Sequence, residues 1–215
     1  MKKIMSNSKI LQYDSNDVTV EKVETLFQGF FKVEEYSLKH KLYQGGESDT
    51  MTREIFERGD AVVLMPYDPV TDCVVLQEQF RPGALHKVES PWMLEFVAGM
   101  FGKDESPIDV AIREAEEEAG LVIAEQDILP VCEYLSSPGG TSEYLHLFVA
   151  RVDATQAGGV FGLPEEGEDI LVHVVSREYA LKLLAEGKIF NAATIIGLQW
   201  LALNYQNLQQ QWQDK

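Results

Sequence analysis

The sequence predicts an α/β fold, and three observations carry that reading. Apolar runs of strand length recur between turn residues along most of the chain. Helical signatures with their own start and stop residues occur at three places. Strands and helices do not alternate in the strict βαβ order of a doubly wound sheet, so a mixed α and β order is expected.

Residues 17–58 read as extended segments: Val18, Val20, Val23 and Leu26, then Phe31, Val33, Tyr36, Leu38 and Tyr43, broken at Gly29 and at Gly45-Gly46. Residues 1–58 form an N-terminal antiparallel strand layer ahead of a main domain over 59–215, and its exposed strand edges can pair with another subunit. Beyond Arg58-Gly59, Ala61–Met65 and Cys73–Leu76 are strand-like, and a turn from Pro66 to Asp72 makes them a hairpin. Trp92–Val97, Val131–Leu135, Tyr144–Val152 and Ile170–Val175 are further strand candidates. The first helix is capped by Ser106, with Pro107 at its first position, Asp109 in its opening turn and Gly120 just past its end. The second runs from a Ser176 cap through Ala180, Leu181, Leu183 and Leu184 to Gly187. The third begins near Asn191 and carries Ile195, Ile196, Leu198, Trp200, Leu201 and Leu203 toward a polar, Gln-rich tail.

A chain of 215 residues that is 45% hydrophobic can bury a substantial core. Its 18 basic and 35 acidic residues give a formal net charge of -17. That charge repels nucleic-acid backbones and anionic membranes over a Debye length of about 8–10 Å, so neither is an expected partner. A phosphate-ester ligand needs recruited cations or well-placed Arg side chains against such a background. Cys73 and Cys132 have neither CxxC nor metal-ligand spacing, and both read as buried thiols in strands. Lys2 and Lys3 are not followed by the apolar stretch of about 7–15 residues that a signal peptide needs. No run reaches the roughly 18–20 apolar residues of a membrane span, so a soluble, cytoplasmic protein is expected.

The stretch Gly99–Leu121, GMFGKDESPIDVAIREAEEEAGL, carries the chemistry. On a helix from Pro107 to Ala119, Ile108, Ala111, Ile112, Ala115 and Ala119 form one apolar stripe at about 100° per residue. Glu114 and Glu118 share one edge of that stripe, and Glu117 sits further toward solvent. Two carboxylates this close repel unless a cation or proton lies between them. Hard divalent cations such as Mg2+ take oxygen ligands of this kind and bridge to substrate phosphates. An acidic cluster by itself is more often a solvated helix face, with Arg113 and Glu117 pairing for roughly a few tenths of a kcal/mol.

The spacing tells against that bland reading: glycine, five residues, Glu105, seven residues, then Arg113-Glu-Ala-Glu-Glu-Glu-Ala-Gly-Leu121. This resembles the Nudix box at every defined position. The resemblance implies an α/β/α sandwich around a mixed sheet. It also implies a site for Mg2+, or Mn2+ in its place, to which Glu114, Glu117 and Glu118 contribute, with the carbonyl of Ala98 as another ligand. Gly99, Glu105, Arg113 and Gly120 take structural roles, Arg113 and Glu105 holding the helix through a salt bridge.

Segments outside the box resemble the ADP-ribose pyrophosphatase branch of that family. Glu78-Gln-Phe-Arg-Pro-Gly83 looks like its QFR element, which implies that Arg81 meets the substrate diphosphate. Ser137-Pro-Gly-Gly-Thr-Ser-Glu143 resembles its SPGG-type loop and implies substrate contacts from Ser137, Gly139 and Glu143. Leu163-Pro-Glu-Glu-Gly-Glu-Asp169 resembles its catalytic loop. Matching Glu-x-Glu-Asp-Ile makes Glu166 the general base and Glu168 a metal ligand. Glu165 is an adjacent competitor, and Glu117 is the next candidate base. Gly29-Phe-Phe31 and Arg53-Glu-Ile-Phe-Glu-Arg-Gly59 resemble the branch's N-terminal layer. They imply that Phe30 supplies an aromatic face for adenine and that Arg53 and Glu54 help to bind it. Arg58 and Met100 join the substrate contacts, and the contributions are shared across a domain-swapped homodimer. Asn191-Ala-Ala193 and Trp200 extend the likeness, whereas residues 1–16 and Gly158-Gly159 match nothing. The reaction implied is hydrolysis of ADP-ribose to AMP and ribose 5-phosphate. The alternatives are another nucleoside diphosphate sugar or dinucleotide, such as GDP-mannose or NADH, and a non-catalytic Nudix module that binds ADP-ribose.

Overall fold

The computed structural model describes residues 10–213, so Lys2 and Lys3 lie outside the described residues. The chain divides into two compact units, one formed by residues up to 58 with Ser137–Ser142, the other by Gly59–Ser136 with the residues from 143 onward. In the first unit β1 (Val18–Gln28), β2 (Lys32–His40) and β3 (Met51–Glu57) make an antiparallel sheet in that order. Bulges interrupt β1 between Val20 and Lys22 and between Thr25 and Phe27, where one extra residue sharpens the twist. No residue of the three strands is buried, and Phe27 and Phe30 are 62% and 87% exposed. Ser137–Ser142 is tied to β3: Phe56 N donates to the Gly140 carbonyl at 2.9 Å, and Thr141 Oγ1 donates to the Phe56 carbonyl at 2.9 Å.

The second unit is built on β4 (Ala61–Asp68), whose eight residues are all buried. Val62 and Leu64 pack into one core, and Ala61, Val63, Met65 and Tyr67 into the other. A strand buried on both faces reads as a continuous apolar run, which is how this segment appears in sequence. Around it lie β5 (Cys73–Phe80), β6 (Trp92–Glu95), β7 (Val97–Met100), β8 (Ile128–Leu135), β9 (Tyr144–Arg151), β10 (Gly159–Phe161) and β11 (Ile170–Ser176). The order is β10-β11-β5-β4-β9-β8, with β6 on β5 and β7 on β4; β4 and β9 are parallel and the other pairs antiparallel. Helix α1 (Pro107–Ala119) covers one face; α2 (Arg177–Ala185) and α3 (Ala192–Gln213) cover the other. The mixed sheet between helical layers is the α/β/α sandwich expected.

Several boundaries differ from the sequence reading, each for a physical reason. Pro66 belongs to β4 and not to the turn. It faces Ala150 on the β9 side, but on the other side it falls between the residues paired with β7 and those paired with β5, where no amide donor is needed. Trp92–Val97 is two strands joined at Phe96. β6 pairs with β5 and β7 with β4, and the Phe96 amide turns away to Thr194 Oγ1 at 3.3 Å. The Gln-rich tail stays helical because Leu208 and Trp212 are buried beneath it. Cys73 and Cys132 are free and lie in strands but are only half-buried. The buried arc of α1 is rotated from the stripe read in sequence: Val110 and Glu118 are buried, while Ile108 and Ile112 are partly so. Among the described residues no helix is long and apolar enough to cross a membrane.

Helix α1 is fixed at both ends. Ser106 and Asp109 form a capping box, and Gly120 ends the helix in the left-handed region at φ 63°. The Gly120 α-carbon lies against the Phe161 ring of β10, so a side chain there meets both backbone strain and the ring. Gly187 after α2 has a similar φ, 68°, with open space around it. Gly187→Ala should therefore cost about 1 kcal/mol and Gly120→Ala distinctly more, measured by denaturant unfolding. Equal losses would show that the Phe161 contact carries no weight.

Candidate active site

The box segment folds as strand, loop and helix, and one cation organises it. Arg113 sends Nε and Nη2 to the two oxygens of Glu105 at 2.8 and 3.1 Å, and Nη2 also to the Met100 carbonyl at 3.3 Å. Its Nη1 donates to Glu114 at 2.7 Å and Glu117 at 3.0 Å. Glu105 also accepts from the Gly102 amide at 2.6 Å, and the Arg113 hydrogen bond and that amide hold its carboxyl below the usual range. The α-carbon of Gly99 in β7 lies against the Glu114 carboxyl, and a Cβ there would overlap it, so the box glycine leaves room for the acid.

Glu118 is 2% exposed, although it is ionisable and sits in the buried arc of α1. Its Oε2 accepts from Gln77 Nε2 at 3.1 Å and from the Ala98 amide at 3.0 Å. Gln77 is itself fully buried, and its Oε1 has no hydrogen-bond partner among the described residues. Burial pushes the Glu118 carboxyl up to about 8 against those two donors, and the charges of Glu114 and Glu168 push the same way. Burial likewise pushes Glu114 up to about 7 despite Arg113, with Glu117 and Glu168 adding to the rise. The loop bearing Glu168 is held by the Gly162 amide, which donates to the Glu117 carbonyl at 3.3 Å. Leu163 N donates to Glu168 Oε2 at 3.0 Å. Glu166 ends a short 3-10 turn (Pro164–Glu166) and is exposed, and Gly167 follows at φ 74°.

A cleft of about 400 Å³ is lined by Gln79, Phe80, Arg81, Pro82, Trp92, Glu166, Gly167, Glu168 and Asp169. Arg81 thus shares one cleft with Glu166 and Glu168, and Glu165 is not on its wall. Arg81 Nε donates to the buried Glu95 at 2.8 Å. A larger cleft of about 580 Å³, near Asp68, Arg151 and Trp212, holds none of the expected site residues. Glu143 is buried and accepts from Ser136 Oγ at 2.7 Å. Apart from Met100 at the end of β7, the remaining expected contacts belong to the other unit. There Phe30 meets Phe31 edge-on at 4.7 Å, Arg58 lies 5.5 Å over the Phe31 ring, and Arg53 pairs across the strands with Tyr36, beside Glu54 opposite Glu35. Ser137 accepts from the Gly140 and Thr141 amides at 3.0 Å, and Gly139 has open space around its α-carbon.

Sequence reasoning passed over Gln77 and Glu95. A lone Glu inside the apolar run Trp92–Met100 was the available signal, because a carboxylate in a buried strand needs a partner.

Among the described residues no three His, Cys, Asp or Glu groups converge closely enough to hold a metal ion. The carboxylates are turned onto protein donors instead: Glu114 and Glu117 onto Arg113, Glu118 onto Gln77 and Ala98 N, Glu168 onto Leu163 N. The donor set nonetheless fits a hard divalent cation. It is all oxygen, and two of its carboxyls lie in surroundings that undersupply positive charge.

The direction of these shifts sets a stability profile. Glu114 and Glu118 rise from an ordinary 4.5 to about 7 and about 8, so between those values the folded chain binds more protons than the unfolded one. Their contribution is full below about 4.5 and is lost as pH rises through about 7–8. In chelator, melting temperature should fall across that window, and Glu118→Gln should flatten the fall. Parallel profiles for wild type and variant would contradict the assignment.

The family model for the NUDIX domain matches residues 57–194. The chain is 52% identical over 200 residues to an ADP-ribose pyrophosphatase of Escherichia coli (strain K12), covering 93% of this chain and 95% of that protein. It is 47% identical over 208 residues to an ADP-ribose pyrophosphatase of Haemophilus influenzae, covering 95% of each. A GDP-mannose pyrophosphatase of Escherichia coli O1:K1 is 29% identical over 194 residues, or 89% of this chain and 98% of that one. With the box residues disposed as above, these matches place the chain in the Nudix family.

Proposed function

We propose that this protein hydrolyses the diphosphate of ADP-ribose to AMP and ribose 5-phosphate. The observation that carries the reading is the 52% identity to an ADP-ribose pyrophosphatase across nearly the whole chain, N-terminal strands included. Nudix hydrolases generally need divalent metal ions, and we assign that role here to Mg2+, with Mn2+ able to replace it. Glu114, Glu118, Glu168 and the Ala98 carbonyl would hold the ions. Once bound, they would polarise the diphosphate and offset the charge that develops on it.

The chain's own residues do the rest. Arg81 offers its guanidinium to the diphosphate oxygens from the wall of the cleft. Arg113 fixes Glu114 and Glu117 and pins the helix to its loop through Glu105. Glu166 takes a proton from a water whose oxygen bonds to one phosphorus; the bridging P–O bond breaks and its electrons leave on the other phosphate. The wall position of Glu166 supports it as the base over Glu165, and Glu117 is the reserve. Phe30, Arg53, Glu54 and Arg58 are assigned to the adenine end, and Met100, Ser137, Gly139 and Glu143 to the remaining substrate contacts.

The same proposal includes a homodimer. Val20, Val23, Leu26 and Phe27 of β1 are 46–62% exposed in a sheet that buries none of its strand residues, which supports a second copy of the chain as their cover. A cytoplasmic setting agrees with the acidic composition and free cysteines.

A substrate panel of ADP-ribose, GDP-mannose and NADH with Mg2+ tests the reading. ADP-ribose should have the highest kcat/KM, and preference for GDP-mannose would replace the substrate while keeping the reaction class. On the best substrate Glu166→Gln should lower kcat by about 10²–10⁴ with KM nearly unchanged, while Glu165→Gln does little. If only Glu165→Gln is crippled, the base has been placed one residue too far along the loop.

A further inference from the structure

Glu95 lies at the end of β6 and is 5% exposed, with both carboxylate oxygens engaged. Oε2 accepts from Arg81 Nε at 2.8 Å, and Oε1 accepts from Asn191 Nδ2 at 2.9 Å. Asn191 is fixed in turn. Its Oδ1 accepts from the Thr194 amide at 3.0 Å and from Thr194 Oγ1 at 3.2 Å, and its carbonyl accepts from Ile195 N at 3.0 Å. Thr194 is fully buried, and its Oγ1 receives the Phe96 amide at the switch between β6 and β7. An unbroken chain of hydrogen bonds therefore runs from the first turn of α3 to the guanidinium of Arg81, on the wall of the cleft that also holds Glu166 and Glu168.

We propose that Glu95, anchored by Asn191, is a positioning residue that aims Arg81 at the substrate diphosphate; this rests on the assignment of Arg81 made above. An arginine side chain is long and loses much rotamer freedom when it binds. Glu95 grips it at Nε alone, which fixes the plane of the guanidinium and leaves the Nη groups for phosphate oxygens. The ordering cost is then met during folding and not during binding. Asn191 matters because a buried carboxylate held by one mobile partner would not itself be fixed.

The test is a double-mutant cycle read in KM for the substrate, together with Kd for its non-hydrolysable methylene analogue. Glu95→Ala and Asn191→Ala should each raise KM about tenfold or more in the wild-type background and change little in an Arg81→Ala background. The double variant Glu95→Gln with Asn191→Asp restores the pairing with the charge moved, and should recover most of the lost affinity. Melting temperatures accompany every variant; if Glu95→Ala fails to fold, the Asn191 arm and the rescue variant give the reading. Equal KM effects with and without Arg81, or no rescue, would overturn the proposal. An Arg81→Ala variant with unchanged KM removes the diphosphate contact and this proposal together. A wild-type enzyme that prefers another substrate defeats only the ADP-ribose reading, and the same cycle on that substrate still decides between the outcomes.

Discussion

Glu114, Glu117, Glu118 and Glu168 are brought into one region of a chain whose formal net charge is -17, and among the described residues Arg113 is the one cation that hydrogen-bonds any of them. Arg113 satisfies Glu105 fully and shares a single nitrogen between Glu114 and Glu117. It does not reach Glu118, which is held by two neutral donors. Like charges in a poorly solvated place favour protonation. The rest of the site follows from keeping them there: a glycine where Glu114 lies against β7, a capped helix, and a loop hydrogen-bonded to the last turn of α1.

That arrangement conflicts with stability. A helix built for stability alone would place an apolar residue at position 118, in the middle of its buried arc. The sequence keeps a glutamate there and supports it with Gln77, a buried amide with one unpartnered oxygen. Local rules broken at one place in an otherwise consistent core point to function. β5 shows the same pattern, changing from the core residue Val75 to Gln77 and Gln79 on the side facing α1, and then to Arg81.

Much of this was legible in the sequence. Ser106, Pro107, Asp109 and Gly120 mark α1 to the residue, because caps are local chemistry. The fixed spacing from Gly99 to Gly120 gave the family, which the match over residues 57–194 shows. What local reasoning missed depends on long-range pairing. The exchange of sheet partners at Phe96, the tolerance of Pro66, and the grouping of Ser137–Ser142 with β3 each require knowing which strand lies alongside. Amphipathic counting set the face of α1 off-centre because its stripe left out Val110 and put Glu118 at the edge, whereas both lie inside the buried arc. Glu95 was passed over because its partners, Arg81 and Asn191, lie 14 and 96 residues away.

We propose that these carboxyls form a cation site, held partly protonated until metal arrives. Calorimetric titration of Mg2+ into chelator-treated protein, repeated at pH 7 in buffers of different ionisation enthalpy, counts the protons exchanged on binding. Net release of about one proton or more is expected at pH 7, shrinking toward zero near pH 9 and reduced in Glu118→Gln. Binding with no proton release at pH 7, or with release unaffected by Glu118→Gln, would contradict it.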